Sequence, residues 1–243
     1  MPILMCCIAM GHFLVPALPI FGFGLAIGDR AIANGIGPEL PPGPFFAIWG
    51  IIFTTYLIMA VWGTLRPNFV SALIVKPLTL AGLGNIIWML SAQLIGLRIL
   101  DFLLLLPILF FAWQAAYRLQ SRTPGYDGTV RSILNGLTVG LLAGWLSVAV
   151  SISLPELVRV LSDRAVSDAV WQSLWWALGP AGIMAIAFTR FISRSLWYYV
   201  ALGWGLLGIF WNVYFRLELH ALGLFTLIVG LIIFRQRFSY RAE

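Results

Sequence analysis

Polar residues in this chain come in short clusters, and eight long apolar stretches lie between them. These are Ile3–Ala26, Phe45–Leu65, Leu73–Leu97, Ile99–Leu119, Ile133–Leu154, Val170–Phe188, Ser195–Tyr214 and Leu219–Phe234. Most are near the ~20 residues with which an α-helix crosses a hydrocarbon core of about 30 Å. Transmembrane barrel strands would alternate apolar and polar positions over about ten residues; these runs are unbroken. The pattern predicts an all-α, polytopic transmembrane helical bundle of about eight spans. Pro16 and Pro19 predict a kink in the first span. Only Arg98 separates the third run from the fourth, which predicts two antiparallel neighbours. Arg66-Pro67 ends the second run. Loops are expected at Gly28–Pro44, at Gln120–Val130 with its Pro124-Gly125 and Asp127-Gly128 pairs, and at a charged connector, Pro155–Asp168. The last run is the shortest and suits a tilted or partly interfacial helix, followed by the tail Arg235–Glu243.

Composition agrees with this reading. The chain is 61% hydrophobic and 10% charged, with mean hydropathy +0.96. Soluble domains are roughly 45–50% apolar and about 25% charged. A net charge of +6 in a soluble protein would raise the question of nucleic acid. Here the basic residues punctuate apolar runs, so no nucleic-acid partner is expected and the lipid bilayer is the partner. With eight spans and the N-terminus inside, ten basic residues fall on the inner side and five on the outer. That bias predicts cytoplasmic termini and places the Gly28–Pro44 loop outside. An integral, multi-pass protein of a bacterial inner membrane is expected, with a retained first helix rather than a cleaved signal. Cys6 and Cys7 are adjacent and fit neither a disulfide nor a metal motif.

Sequence signatures of catalysis are absent: no GxSxG, Walker loop, HExxH or paired carboxylates within a span. No enzymatic role is expected, no catalytic residue is assigned, and no metal ligands are assigned. His12 and His220 fall at opposite ends of the predicted topology, too far apart to share one haem iron. Trp62, Trp113, Trp171 and Trp197 lie near run ends, as interfacial anchors do, whereas Trp49, Trp88, Trp145, Trp204 and Trp211 lie deeper. Deep indoles want hydrogen-bond acceptors. Asn85 and Trp88 share one helix face at i, i+3. Asn85 and Asn212 suit interhelical hydrogen bonding or a polar anchor in an apolar pocket. The most distinctive segment is Leu40-Pro41-Pro42-Gly43-Pro44-Phe45-Phe46-Ala47-Ile48-Trp49, continuing to Tyr56. It predicts a stiff loop above a helical aromatic stripe of Phe45, Trp49, Phe53 and Tyr56.

Pro41-Pro42, Phe45, Trp49 and Tyr56, then Asn85-x-x-Trp88, then Trp145-x-x-x-Ala149 occur in the order typical of one family. The chain resembles the TspO/MBR proteins, the tryptophan-rich sensory or translocator proteins. Trp197-Tyr198-Tyr199 and Trp204 are similar to longer bacterial relatives with additional C-terminal helices. The resemblance implies a five-helix ligand-binding core at 1–155 and three further helices at 156–243, together one membrane domain. It implies a lid shaped by Pro41 and Pro42. It also implies a pocket lined by Phe45, Trp49, Tyr56, Asn85, Trp88, Trp145 and Ala149. The implied ligand is a tetrapyrrole (porphyrin or haem-like) or another hydrophobic small molecule, bound as a ligand, with no cofactor required. The sequence departs from the family where Gly43-Pro44-Phe45 replaces the usual lid Trp, and where Ser151 and Ser153 replace Asn after the fifth-helix motif. A sensory or binding protein is the expectation. Alternatives are a transporter of a small amphipathic solute, or a structural or pigment-associated subunit. A homodimer and a membrane-complex partner both stay open.

Overall fold

The computed structural model describes residues 2–33, 37–66, 69–122, 129–165 and 170–239. Pro67, the Pro124-Gly125 and Asp127-Gly128 turns, Asp168, and the side chains of Arg122, Trp171 and Arg241 lie outside the described residues. Nine α-helices are described: α1 Pro2–Leu14, α2 Ile27–Ala33, α3 Ile48–Leu65, α4 Ala72–Leu90, α5 Arg98–Arg122, α6 Val130–Ser162, α7 Val170–Ala187, α8 Leu196–Trp211 and α9 His220–Ser239. No strand is present among the described residues. Seven stretches are long and apolar enough to cross a membrane, contributed by α1 with its 3₁₀ extension and by α3 to α8. The eighth helix of the bundle, α9, has a shorter apolar part, His220–Arg235. The chain is an all-α polytopic membrane protein.

The sequence accounts for where these helices bend and end. Pro16 and Pro19 turn the end of the first span into a 3₁₀ segment, Val15–Phe21, which Gly22 closes in the left-handed conformation at φ 83°. Pi-helical turns finish α4, α7 and α8 at Ser91–Ile95, Phe188–Ile192 and Asn212–Arg216. The expected Gly28–Pro44 loop is partly helical, because α2 occupies Ile27–Ala33. The charged connector differs more. Helix α6 runs on through Pro155 to Ser162, so Pro155–Ser162 is helix and the expected 155/156 division falls inside it. Thirty-three residues at about 1.5 Å each reach about 50 Å, well beyond a hydrocarbon core of about 30 Å. The last turns of α6 carry Glu156 to Arg98, and Arg159 to Glu39 and Ser173.

Helix α6 is central, with 83% of its membrane window buried. It seats against α8 along a seam of glycines. A Cβ at Gly140 would meet Trp197 Cβ at 2.7 Å, and one at Gly144 would meet Ala201 Cβ at 2.9 Å. On the facing helix, a Cβ at Gly205 would meet Val148 Cγ2 at 2.7 Å. Small residues at i and i+4 let membrane helices approach until their backbones touch, which gains dispersion contacts where no hydrophobic drive exists between helices. Ser147 adds polar connections at this seam. Its hydroxyl donates to Ala143 O at 2.9 Å and accepts from Trp113 Nε1 and Tyr198 Oη, both at 3.2 Å. Outward-facing apolar side chains such as Ile58, Leu103, Phe110, Ile183 and Leu231 cover the rest of the bundle. In water so broad a patch would drive aggregation; in lipid it is the solvated surface.

Gly144→Leu is expected to force α6 and α8 apart. The cost is about 1–3 kcal/mol, the usual range for overpacking, read as a lower thermal midpoint in detergent. Gly203→Ala, where a Cβ meets nothing within 4 Å, should leave the midpoint unchanged or raise it.

Candidate functional site

The stretch from Gly37 to Pro42 forms a lid over one end of the bundle. Within it Gly37, Pro38, Glu39, Pro41 and Pro42 are all buried. Three contacts fasten it. Asn212 Nδ2 donates to Gly37 O at 3.1 Å and to Pro38 O at 3.3 Å. Trp204 Nε1 donates to Phe45 O at 2.7 Å. Arg159 Nη2, from the extension of α6, pairs with Glu39 Oε1 at 2.5 Å, while its Nη1 donates to Ser173 Oγ on α7 at 2.7 Å. Gly208 leaves the space that Pro41 and Phe45 occupy, since a Cβ there would lie 2.7 Å from Pro41 Cβ. Helix α8, unassigned from sequence, is therefore the lid's main mooring.

Beneath the lid a 3₁₀ turn, Gly43–Ala47, leads into α3. This turn changes the phase of the predicted aromatic stripe. A 3₁₀ segment advances about 120° per residue against about 100° in an α-helix. Phe45 accordingly leaves the stripe and packs on Trp204, with centroids 5.0 Å apart. Phe46 takes the inward position and meets Trp145 edge-on at 5.7 Å. Trp49 is the hub, with Phe53 at 5.2 Å, Trp88 at 6.2 Å and Trp145 at 6.3 Å. Asn85 is buried on α4, one turn before Trp88. Ala149 is buried one turn beyond Trp145 on α6.

Tyr56 lies deeper. Its hydroxyl donates to Leu78 O at 3.4 Å, and its ring meets His12 edge-on at 5.2 Å. His12 also stacks on Phe53 at 4.6 Å, with its Nε2 3.1 Å from Gly82 O. The aromatic wall thus runs from Phe46 through Trp49 and Phe53 to His12. The spacing of His12 within the first span carries no signal for this place in the wall. Tyr214 flanks His220, in a separate cluster, at 4.6 Å. Among the described residues no three His, Cys, Asp or Glu side chains converge as metal ligands. Trp204 and Trp211, expected deep, are partly exposed on the outer side of α8.

The cluster carries unmet hydrogen-bonding capacity. Asn85 Nδ2 and Oδ1, Trp88 Nε1 and Trp145 Nε1 are buried without a partner in the protein. An unpaired buried polar group costs about 1–3 kcal/mol. Four such atoms on α4 and α6, on either side of Trp49 from α3, make a concentrated polar demand in an apolar setting.

The family model described as TSPO-like protein matches residues 34–235. The chain belongs to the TSPO-like protein family. The match begins just before the lid and ends within α9, so α7, α8 and most of α9 fall inside it. No curated protein and no solved structure matches the chain. As a TSPO-like protein it is an integral, multi-pass membrane protein whose lid segment is held by the end of α6 and by α8 with the turn after it.

Breaking the lid pair leaves one buried ion uncompensated. Arg159→Met alone is expected to cost about 3–5 kcal/mol, read as a lower thermal midpoint in detergent. The double variant Glu39→Leu with Arg159→Met should recover most of that loss. If the two single losses simply add in the double variant, the ion pair is not the lid's fastening.

Proposed function

We propose that the chain is a membrane binding or sensory protein. Its ligand is a tetrapyrrole or another flat hydrophobic molecule with a polar edge, held between α3, α4 and α6 beneath the lid. The unpaired Asn85 amide and the Trp88 and Trp145 indoles carry this reading. Such pockets are mostly apolar, with a few polar groups fixing the ligand's orientation, and the aromatic faces beside these atoms suit a planar macrocycle. Amide and indole groups hold a ligand through hydrogen bonds without exchanging protons near neutral pH, so the reading is of binding without catalysis and without a resident cofactor.

The ring spacings say how a ligand would enter. Stacking a plane between two rings needs about 7 Å, two contacts of roughly 3.5 Å each. The 6.2 Å between Trp49 and Trp88 is less than that. A ligand would have to displace Trp49, which sits in the first turn of α3 directly after the 3₁₀ turn. Release of the lid and movement of Trp49 therefore belong to one opening motion in this proposal.

Titrating purified protein with a porphyrin should quench Trp fluorescence saturably. Trp49→Ala, Trp145→Ala and Asn85→Leu should each weaken the apparent affinity by about tenfold or more, the effect of one lost hot-spot contact. Unchanged curves in all three would place any ligand elsewhere. Saturable uptake of the same porphyrin into proteoliposomes would favour the transporter reading instead.

We also infer a bacterial inner membrane with both termini cytoplasmic. All acidic residues within the described parts, including Glu39, Asp101, Glu156 and Glu218, lie toward the lid end by helix order, and Arg66, Arg131, Arg194 and Arg237 lie at the other. A fluorescent reporter fused after Glu243 should fold in the cytoplasm, while a periplasm-dependent phosphatase at the same point should stay inactive. The reverse pattern would overturn the orientation.

A further inference from the structure

A cavity of about 770 Å³ lies at the end of the bundle opposite the lid. It opens where the start of α6, the turn between α7 and α8, and the ends of α5 and α9 meet. It belongs to no motif that suggested the lid-side site, and it stands independently of that reading.

Its chemistry has one sign. Arg131, Arg194 and Arg237 line it, together with Ser132, Ser193 and Ser195. No acidic side chain lines it among the described residues. The ion pairs formed among those residues, Arg98–Glu156 and Arg159–Glu39, are both at the lid end. Asp127 and Glu243, the acids that the sequence places on this side, lie outside the described residues. Internal bonds use these arginines only in part. Arg131 Nε donates to Phe69 O at 2.9 Å, and Arg237 Nε donates to Arg194 O at 3.5 Å. Three guanidinium groups around one opening repel one another, and an anion between them removes that cost.

The backbone has the same polarity. Helices α6 and α8 both begin at the cavity, after Thr129 and Ser195. The first turn of a helix presents unpaired N–H groups and the positive end of its dipole. Thr129 caps Ser132 N, whereas α8 has no side-chain cap. Two further atoms ask for partners. Ser132 Oγ and Asn135 Oδ1 are buried and unpaired. Asn135 is only 2% exposed, and its Nδ2 is already engaged with Phe69 O at 3.2 Å. Its free oxygen can accept from a ligand hydroxyl in place of water. A bare anion cannot supply one, but an anionic group that carries a hydroxyl can. Ser71 and Gln120 also line the cavity, and Leu119, Val139, Leu196 and Trp197 form an apolar part of its wall.

We propose that this cavity binds the phosphate of an anionic glycerophospholipid. The guanidinium groups and the α8 N-terminus take the phosphate, a headgroup hydroxyl donates to Asn135, and the acyl chains lie along Leu119, Leu196 and Trp197. A bound lipid would tie α5, α6, α8 and α9 together at the end of the bundle that has no lid.

Native mass spectrometry of the purified full chain tests this with phosphatidylglycerol and phosphatidylcholine. Phosphatidylglycerol should be retained preferentially. Arg131→Gln with Arg194→Gln should weaken its apparent affinity about tenfold or more, as expected for two phosphate-directed cations. The matching Arg→Lys pair should keep most of the preference. Arg66→Gln, on the same face but outside the cavity, should change little. Arg194→Gln alone removes no described internal side-chain bond and keeps the test open if the double variant unfolds. Equal retention of the two lipids, or equal losses for Arg66→Gln and the cavity variants, would overturn the site. Displacement of phosphatidylglycerol by millimolar inorganic phosphate would overturn the lipid as its source and leave a free-phosphate site.

Discussion

The close approach of α6 to α8 is the constraint on which the rest of the molecule depends. Two helices in lipid gain little by hiding apolar surface from each other, so they associate only where shapes let many atoms touch. Gly140, Gly144 and Gly205 provide that fit. Once α8 is seated, its far end is fixed in height and rotation. Trp204, Gly208 and Asn212 then fall directly over the lid, one helical turn apart along a single face. The lid's position thus depends on the seam glycines as well as on its own contacts. A helix pair without this seam could still span the membrane, but it would not deliver three lid contacts in register.

The lid end combines tight fastening with unmet polar demand. Glu39 and Arg159 are both buried and paired, an arrangement that rarely adds stability over apolar packing but punishes any partial opening. That favours two discrete states, closed with the pair made and open with both ions wet. Beneath it, Asn85, Trp88 and Trp145 keep polar atoms without partners. A cluster selected for stability alone would not be expected to retain them. In the proposed function this deficit is the part of the closed state that a ligand repairs, and Trp49 is the part that must give way.

Much of this was legible in the sequence, for identifiable reasons. Run length and composition establish helices across a bilayer, because an unpaired backbone cannot exist in hydrocarbon. The Asn85–Trp88 spacing and the depth of Trp145 foretell a shared cluster, since helical periodicity fixes which residues face together. Periodicity fails where the helix type changes. The 3₁₀ turn at Gly43–Ala47 rotates Phe45 out and Phe46 in, and nothing in the composition of that turn announces it. It fails again at Pro155, where a proline beside charged residues suggests a loop, yet α6 continues to Ser162 and brings Arg159 to Glu39 and Ser173. In α8 and the turn after it, Trp204 and Asn212 were legible as groups that want hydrogen-bond partners, but the lid as their partner was not. These lid contacts join residues more than 150 positions apart, and only tertiary structure brings them together.

Charge placement ties the two ends of the bundle to different tasks. At the lid end, acids and bases occur together and neutralise each other in pairs, so the surface can close over an apolar interior without a large field. At the opposite end the described side chains include arginines and no acids, and no described residue compensates the field there. A helical bundle tolerates such repulsion only if solvent, salt or a ligand screens it. Water and salt serve for exposed residues such as Arg66. They serve less well inside a recess bounded by low-dielectric walls, where screening weakens and attraction to an anion grows. In the proposed orientation, the charge bias that directs the chain would also build a site for an anion on the side where anionic headgroups supply one.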